Sequence, residues 1–209
     1  MAVQEPKKSR GGSLLELAAV IAVALGLAFG IQAFLVKPYR IPSPSMVPTL
    51  AVGQRILVNR VITDLADPSV GDILVFHPPK GAKPADGAFG ATCGTHPLPG
   101  QACTKATPGE AGDTFIKRVV GLPGDSIRVV DGHVIRNGKR ESDAYIAPCA
   151  GGSGCDFPRA WTIPPDHYFM MGDNRGNSDD SRFWGPIPRS SIIGEAFATY
   201  WPPGRIGIL

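Results

Sequence analysis

The chain has 209 residues and a formal net charge of +3, a length that suits one anchor plus one domain of ordinary size. Gly (26) and Pro (21) together exceed a fifth of it, which excludes an ordinary helical bundle and fits a turn-rich β protein. Beyond the N-terminal tail Lys and Arg are scattered, so no nucleic-acid partner is expected. Residues 1–13 read as a short tail carrying Lys7, Lys8 and Arg10. Leu14 to Val36 follows, 23 residues in which only Glu16 and Gln32 interrupt the apolar run. As a helix it would span about 35 Å, enough for a bilayer core of about 30 Å, and it has no polar face to mark a core helix. It also exceeds the 7–15 residues or so of a removable leader's apolar core. Lys37, Arg40 and Arg55 follow closely, so flanking charge alone leaves its orientation balanced.

From residue 37 onward the chain reads as short strands and tight turns. "RIPSPSMVPTL", Arg40 to Leu50, sets Ser43 and Ser45 among three prolines. "QRILVNRV" and "GDILVFH" are strand-like. The stretch 79–112 is rich in Gly, Pro, Ala and Thr and is expected to be a surface insertion. "SIRVVDGHVIRNGKR" holds Asp131-Gly132 and Asn137-Gly138, both hairpin-turn signals, and "EAFATYW" is a late strand. Cys93 and Cys103, then Cys149 and Cys155, form close pairs in Gly/Pro-rich segments without the spacing of a zinc knuckle. Two local disulfides in an oxidising compartment are the expectation, against four reduced thiols in a cytosolic protein.

A serine nucleophile needs a base. His77 and His96 each precede a proline, His133 sits in a hairpin, and His167 alone stands near a polar block as a candidate. "DTFIKRVVGLPGD", Asp113 to Asp125, offers another. Alternation in a strand puts Phe115, Lys117 and Val119 on one face. A lysine among apolar neighbours can lose its proton, whereas an arginine does not. At an ordinary pKa of about 10.4 only about one lysine in two thousand is neutral at pH 7, so a base needs that value lowered by burial. Periodicity alone favours a half-exposed lysine that snorkels to water. "MGDNRGNSDDSR", Met171 to Arg182, is not a calcium loop, because Arg175 and Ser178 fall where an EF-hand requires a ligand and a glycine.

"IPSPSMVPTL", "IKRVVGLPGD" and "GDNRGNSDDSR", in that order behind an N-terminal anchor, resemble the type I signal peptidases of bacteria, membrane-bound serine proteases with a Ser-Lys dyad. The three blocks cover about 30 residues. The resemblance implies a mainly β fold: a single transmembrane helix (14–36), then an antiparallel β catalytic domain (37–209) with a smaller β excursion at about 129–165. It implies Ser45 as nucleophile, Lys117 as general base, and Ser43 with the Ser45 N–H as the oxyanion hole. Ser178 matches a lysine-orienting serine. Arg118, Asp173, Arg175, Asp180 and Arg182 match residues that hold the site together. No cofactor or metal is expected. The implied partners are signal peptides of preproteins emerging from the export machinery, bound as extended strands and cut after small residues, and the lipid bilayer. The implied place is the cytoplasmic membrane, N-terminus inside and catalytic domain on the periplasmic side. Nine residues from Val36 to Ser45 reach at most about 30 Å, which keeps the nucleophile near the bilayer surface.

Two positions depart from the family pattern: Pro44 where Gly is common, and Gly176 where an Asp is common, a change expected to remove a charge from the site's network. A dedicated processing protease for one substrate, a self-cleaving repressor-type protease and a non-enzymatic β scaffold are the competing readings. No DNA-binding region favours the second, and Ser45 with Lys117 would serve no purpose in the third.

Overall fold

The computed structural model describes residues 10–82, 93–149 and 154–209, with backbone alone at 10–13, 31–34 and 64. Lys7 and Lys8 of the tail, and part of the 79–112 segment, lie outside them. The chain divides into two units, 1–37 and 38–209.

The first unit is helical. Helix α1 runs Arg10–Phe34, 25 residues. It starts before the expected span and stops short of its end: Leu35 is in a turn and Val36 opens the next strand. Pro38 explains the stop, since a proline disfavours helix at the residue before it and removes a helical donor. The side chains described on α1, from Leu14 to Gly30, are apolar except Glu16 and almost all exposed. That stretch is about 25 Å long at 1.5 Å per residue. Among the described residues no helix is long and apolar enough to cross a membrane.

The second unit is mainly antiparallel β. Its elements are β1 (Val36–Arg40, entered from the first unit), β2 (Arg55–Asn59), α2 (Ile62–Leu65), β3 (Ile73–Phe76), β4 (Phe115–Gly121), β5 (Ser126–Val130), β6 (His133–Arg136), β7 (Lys139–Arg140), β8 (Phe157–Thr162), β9 (His167–Met171), α3 (Ser181–Trp184), β10 (Ile187–Pro188), β11 (Ile192–Trp201) and β12 (Gly207–Ile208). A large sheet has the order β1-β2-β11-β3-β4-β9-β10, with β12 added to β11. The late strand β11 thus inserts between β2 and β3. A small sheet of order β7-β6-β5-β8 forms the excursion. Both of its predicted turns form. Asp131 and Gly132 have φ of 50° and 75°, Asn137 and Gly138 of 53° and 81°, the paired positive values that a two-residue hairpin turn needs.

Three apolar clusters fill the unit. One gathers Ile41, Met46, Leu50, Ile56, Val58 and Val75, a second lies under the small sheet, and a third contains Leu74, Phe76, Val119, Met170 and Trp184. The 79–112 segment is not wholly on the surface. Ala102 and Cys103 are 3% and 1% exposed, and Ala102 packs in the second cluster with Val120, Ile127 and Phe169. A small residue next to a disulfide can be drawn into a core that the polar composition around it does not announce.

Candidate active site

Ser45 sits in a single 3-10 turn, Pro44–Met46, with Pro44 at its first position. Pro44 fits there, because the first residue of such a turn needs no N–H and its φ is preset. Ile41, Met46 and Leu50 bury themselves in the first cluster, and Leu50 N–H donates to the Met46 carbonyl at 2.8 Å. Asn174 fixes the turn from the other side. Its N–H donates to the Ser45 carbonyl at 3.0 Å and its Nδ2 to the Pro44 carbonyl at 3.2 Å. The prolines therefore do not make a loose linker; they belong to a turn held at both faces.

Lys117 lies in the middle of β4, opposite Leu74 of β3. It is 4% exposed, so the half-exposed reading that periodicity favours does not hold. Alternation locates faces but does not say whether each face is covered, and here both are. Lys117 Nζ donates to Ser45 Oγ at 2.8 Å, and Ser43 Oγ lies 3.2 Å from Ser45 Oγ. Burial pushes the Lys117 amine down from its ordinary 10.5 to about 8. Asp180, Asp179 and Asp173 act the other way, and Arg182 acts with the burial.

The polar block 171–182 surrounds this pair. Asp180 caps α3 and accepts from Arg182 Nε at 2.7 Å, Arg182 Nη2 at 2.8 Å and the Gly172 N–H at 3.1 Å. Burial works to raise the Asp180 carboxyl, but Arg182 and these hydrogen bonds hold it below its usual range. Asp173 takes two bonds from Arg118, at 2.9 and 2.7 Å, and one from Thr49 Oγ1 at 2.5 Å. Tyr145 covers the Arg118 guanidinium, 4.1 Å from its ring centre. Arg175 Nε donates to the Gly172 carbonyl at 3.0 Å and its Nη1 to the Gly132 carbonyl in the β5–β6 turn. Arg182 Nη1 reaches the Gly154 carbonyl at 2.5 Å. Gly172 leaves no room for a side chain: a Cβ there would lie 2.3 Å from Ser178 Oγ and 2.4 Å from the Ser45 carbonyl oxygen.

The structure thus brings Ser43, Ser45 and Lys117 together and rings them with Asp173, Asp180 and Arg182. Ser178, the expected lysine-orienting serine, is buried beside Gly172, but among the described residues its hydroxyl has no hydrogen-bond partner, the lysine amine included. Gly176 is exposed, and an Asp there would face solvent rather than the buried network, contrary to expectation. His167 is bound elsewhere, Nδ1 to the Pro165 carbonyl at 2.7 Å, and His133 pairs with Asp143. Thr49, Gly172, Asn174 and Tyr145 were not singled out by the sequence. Gly172 and Asn174 lie inside the polar block, which is the one signal that pointed near them.

A cavity of about 420 Å³ is lined by Tyr39, Ile41, Pro42, Ile56, Val75 and Ile116, together with Ser43, Ser45 and Lys117. β9 pairs with β4 only from Arg118 onward, whereas β3 pairs with it from Phe115. Among the described residues, one edge of β4 beside Lys117 is thereby left without a neighbouring strand, next to a mostly apolar groove. Two disulfides, Cys93–Cys103 and Cys149–Cys155, close loops of the same unit. Among the described residues no three His, Cys, Asp or Glu side chains are placed to share a metal ion.

Residues 14–201 match the family model described as signal peptidase, peptidase S26. A probable signal peptidase I-2 of Synechocystis sp. is 37% identical over 200 residues, covering 93% of this chain and 77% of its own. Signal peptidase I of Leptolyngbya laminosa is 35% identical over 211 residues, covering all of this chain and 89% of its own. A solved structure, a signal peptidase I from Enterococcus faecalis, has a TM-score of 0.41 at 24% identity, covering 62% of this chain and 97% of that one.

Proposed function

Since the chain belongs to the peptidase S26 family of signal peptidases and is a serine endopeptidase, we propose that it removes signal peptides from exported preproteins by a Ser-Lys dyad, cutting after small residues. The observation that carries the dyad is the 2.8 Å contact between Lys117 Nζ and Ser45 Oγ at a buried amine with a pKa of about 8. At pH 7 about a tenth of such amines are neutral, against about one in two thousand at the ordinary value. The neutral amine takes the Ser45 proton as Oγ attacks the scissile carbonyl carbon. The Ser45 N–H and the Ser43 hydroxyl face the oxyanion that forms. Collapse of the tetrahedral intermediate breaks the C–N bond, and Lys117 returns its proton to the leaving amine. Water, deprotonated by the same amine, then attacks the acyl carbonyl, and Ser45 leaves with the proton restored.

The substrate lies as an extended strand against the free edge of β4, its small side chains entering the apolar groove. Helix α1, which carries most of the apolar run 14–36, serves as a single membrane anchor with the N-terminus inside. Two disulfides support a catalytic unit on the oxidising, extracytoplasmic side, with the lipid bilayer and emerging preproteins as partners. The test is cleavage of a preprotein in detergent by wild type, Ser45→Ala, Lys117→Arg and His167→Ala, with N-terminal sequencing of the product. Ser45→Ala and Lys117→Arg should be inactive and His167→Ala active, because an arginine supplies no neutral amine. Cleavage by either of the first two removes the dyad.

A further inference from the structure

Helix α3 has four residues, too few to hold its own shape. Yet it carries Arg182, whose guanidinium grips Asp180, and Asp180 in turn holds the Gly172 N–H beneath Ser45. Its geometry must be imposed from outside. One restraint comes from β9, whose Met170 N–H donates to Ser181 Oγ at 2.9 Å, and from the third apolar cluster, which holds Trp184. Another comes from the 79–112 segment, to which the resemblance assigns no role.

Residues 93–106 of that segment form a closed strap. Cys93 and Cys103 are bonded, Cys93 bridges Ala106, and the Gly94 N–H donates to the Lys105 carbonyl at 2.8 Å. The strap touches α3 twice. The Cys103 N–H donates to the Arg182 carbonyl at 2.9 Å. At the end of the helix Gly185 has φ of 89°, and a Cβ on it would lie 2.7 Å from Ala106 N and 2.8 Å from the Lys105 carbonyl carbon. The strap is itself anchored. Ala102 is buried in the second apolar cluster, and the Arg159 N–H of β8 donates to the Gly100 carbonyl at 2.8 Å. It therefore ties α3 to the small sheet and to the core at once.

We propose that the strap 93–106, closed by Cys93–Cys103, is a positioning element of the active site: it fixes α3 and, through the Arg182–Asp180 pair, the surroundings of Lys117. This rests on the Ser-Lys reading above. The charged groups that act on the Lys117 amine are Asp180 and Arg182 at the N-terminal end of α3, and Asp179 and Asp173 from the loop before it. Burial outweighs them all. A loosened α3 admits water to Nζ and weakens that dominant effect, so the amine moves back toward the ordinary lysine range.

The experiment compares the full chain in detergent with Cys93→Ser/Cys103→Ser and, separately, with Gly185→Ala, which forces a Cβ against the strap. For each, kcat/KM on one small-residue peptide is followed from pH 6 to 10, beside a thermal melt. The expected result is an acid limb raised by about one pH unit, hence kcat/KM about tenfold lower below the limb, with KM changed less than twofold. A limb at the wild-type position with only a lower melting temperature would overturn the proposal. So would the loss of fold in both variants, since the strap would then be a staple and nothing more. Ser45→Ala run in parallel separates the two readings: if it cleaves, the Ser-Lys assignment falls; if it is dead while the limb stays put, only the strap's role falls.

Discussion

Replacing Lys117 by Met should abolish activity and make the protein more stable at neutral pH. A buried amine lowered from 10.5 to about 8 is a charge the folded state accommodates poorly, by about 3 kcal/mol. The sign follows from proton counting. Below pH 8 both states carry the proton, and the penalty on the folded state is present in full. Between about 8 and 10.5 the unfolded chain binds more protons than the folded one, so wild-type stability rises with pH. Met has a similar length and no charge, which removes the penalty, but it forfeits the bond to Ser45, worth about 1 kcal/mol. The variant should therefore be about 2 kcal/mol more stable than wild type at pH 6.5. By pH 10 the difference should have vanished or reversed. Urea unfolding in detergent at the two pH values, read from the fluorescence of the three tryptophans, measures it. A variant less stable at pH 6.5, or a difference that ignores pH, would show that burial does not control this amine.

Ser45→Ala should remove all turnover, while Ser43→Ala, losing one oxyanion donor, should lower kcat by about 10²–10³; equal and modest losses in single-turnover assays would contradict their separate roles. Gly172→Ala must displace either Ser178 or the Ser45 backbone, and a shift of about 1 Å at the nucleophile should reduce kcat/KM on the order of 10²-fold. An unchanged kcat/KM would mean that the loop yields without moving Ser45. Asp173→Ala leaves Arg118 and Thr49 without their shared acceptor in a buried setting and should destabilise by about 3 kcal/mol, measured by urea unfolding. A loss below 1 kcal/mol or so would mean that water replaces the carboxylate.

What the sequence made legible was local. The two hairpin turns follow from Asp-Gly and Asn-Gly, whose φ preferences act within two residues. The disulfides join cysteines separated by 10 and 6 residues, close enough for their pairing to be read from spacing. What stayed hidden depends on contacts far along the chain. Nothing near β11 says that it lies between β2 and β3. Nothing near Ala102 says that it packs under the small sheet. Gly172 reads as one more loop glycine until the Ser45 carbonyl and the Ser178 hydroxyl close on it from distant segments.

The same distance explains why one dense run of acids and arginines serves a lysine base. Three carboxylates lie near enough to Lys117 to keep it charged, and acting freely they would oppose the desolvation that makes it useful. Asp173 is held by the fork of Arg118 and Asp180 by that of Arg182. Each arginine offsets the negative charge of the acid it holds in place, and Arg182 also disfavours the charged amine directly. An arginine at either position is permanently charged and forked, so it can grip two carboxylate oxygens where a lysine grips one. Arg118 and Arg182 are thus part of how the base is made: they leave burial as the strongest influence on Lys117, and burial favours the neutral amine that Ser45 requires.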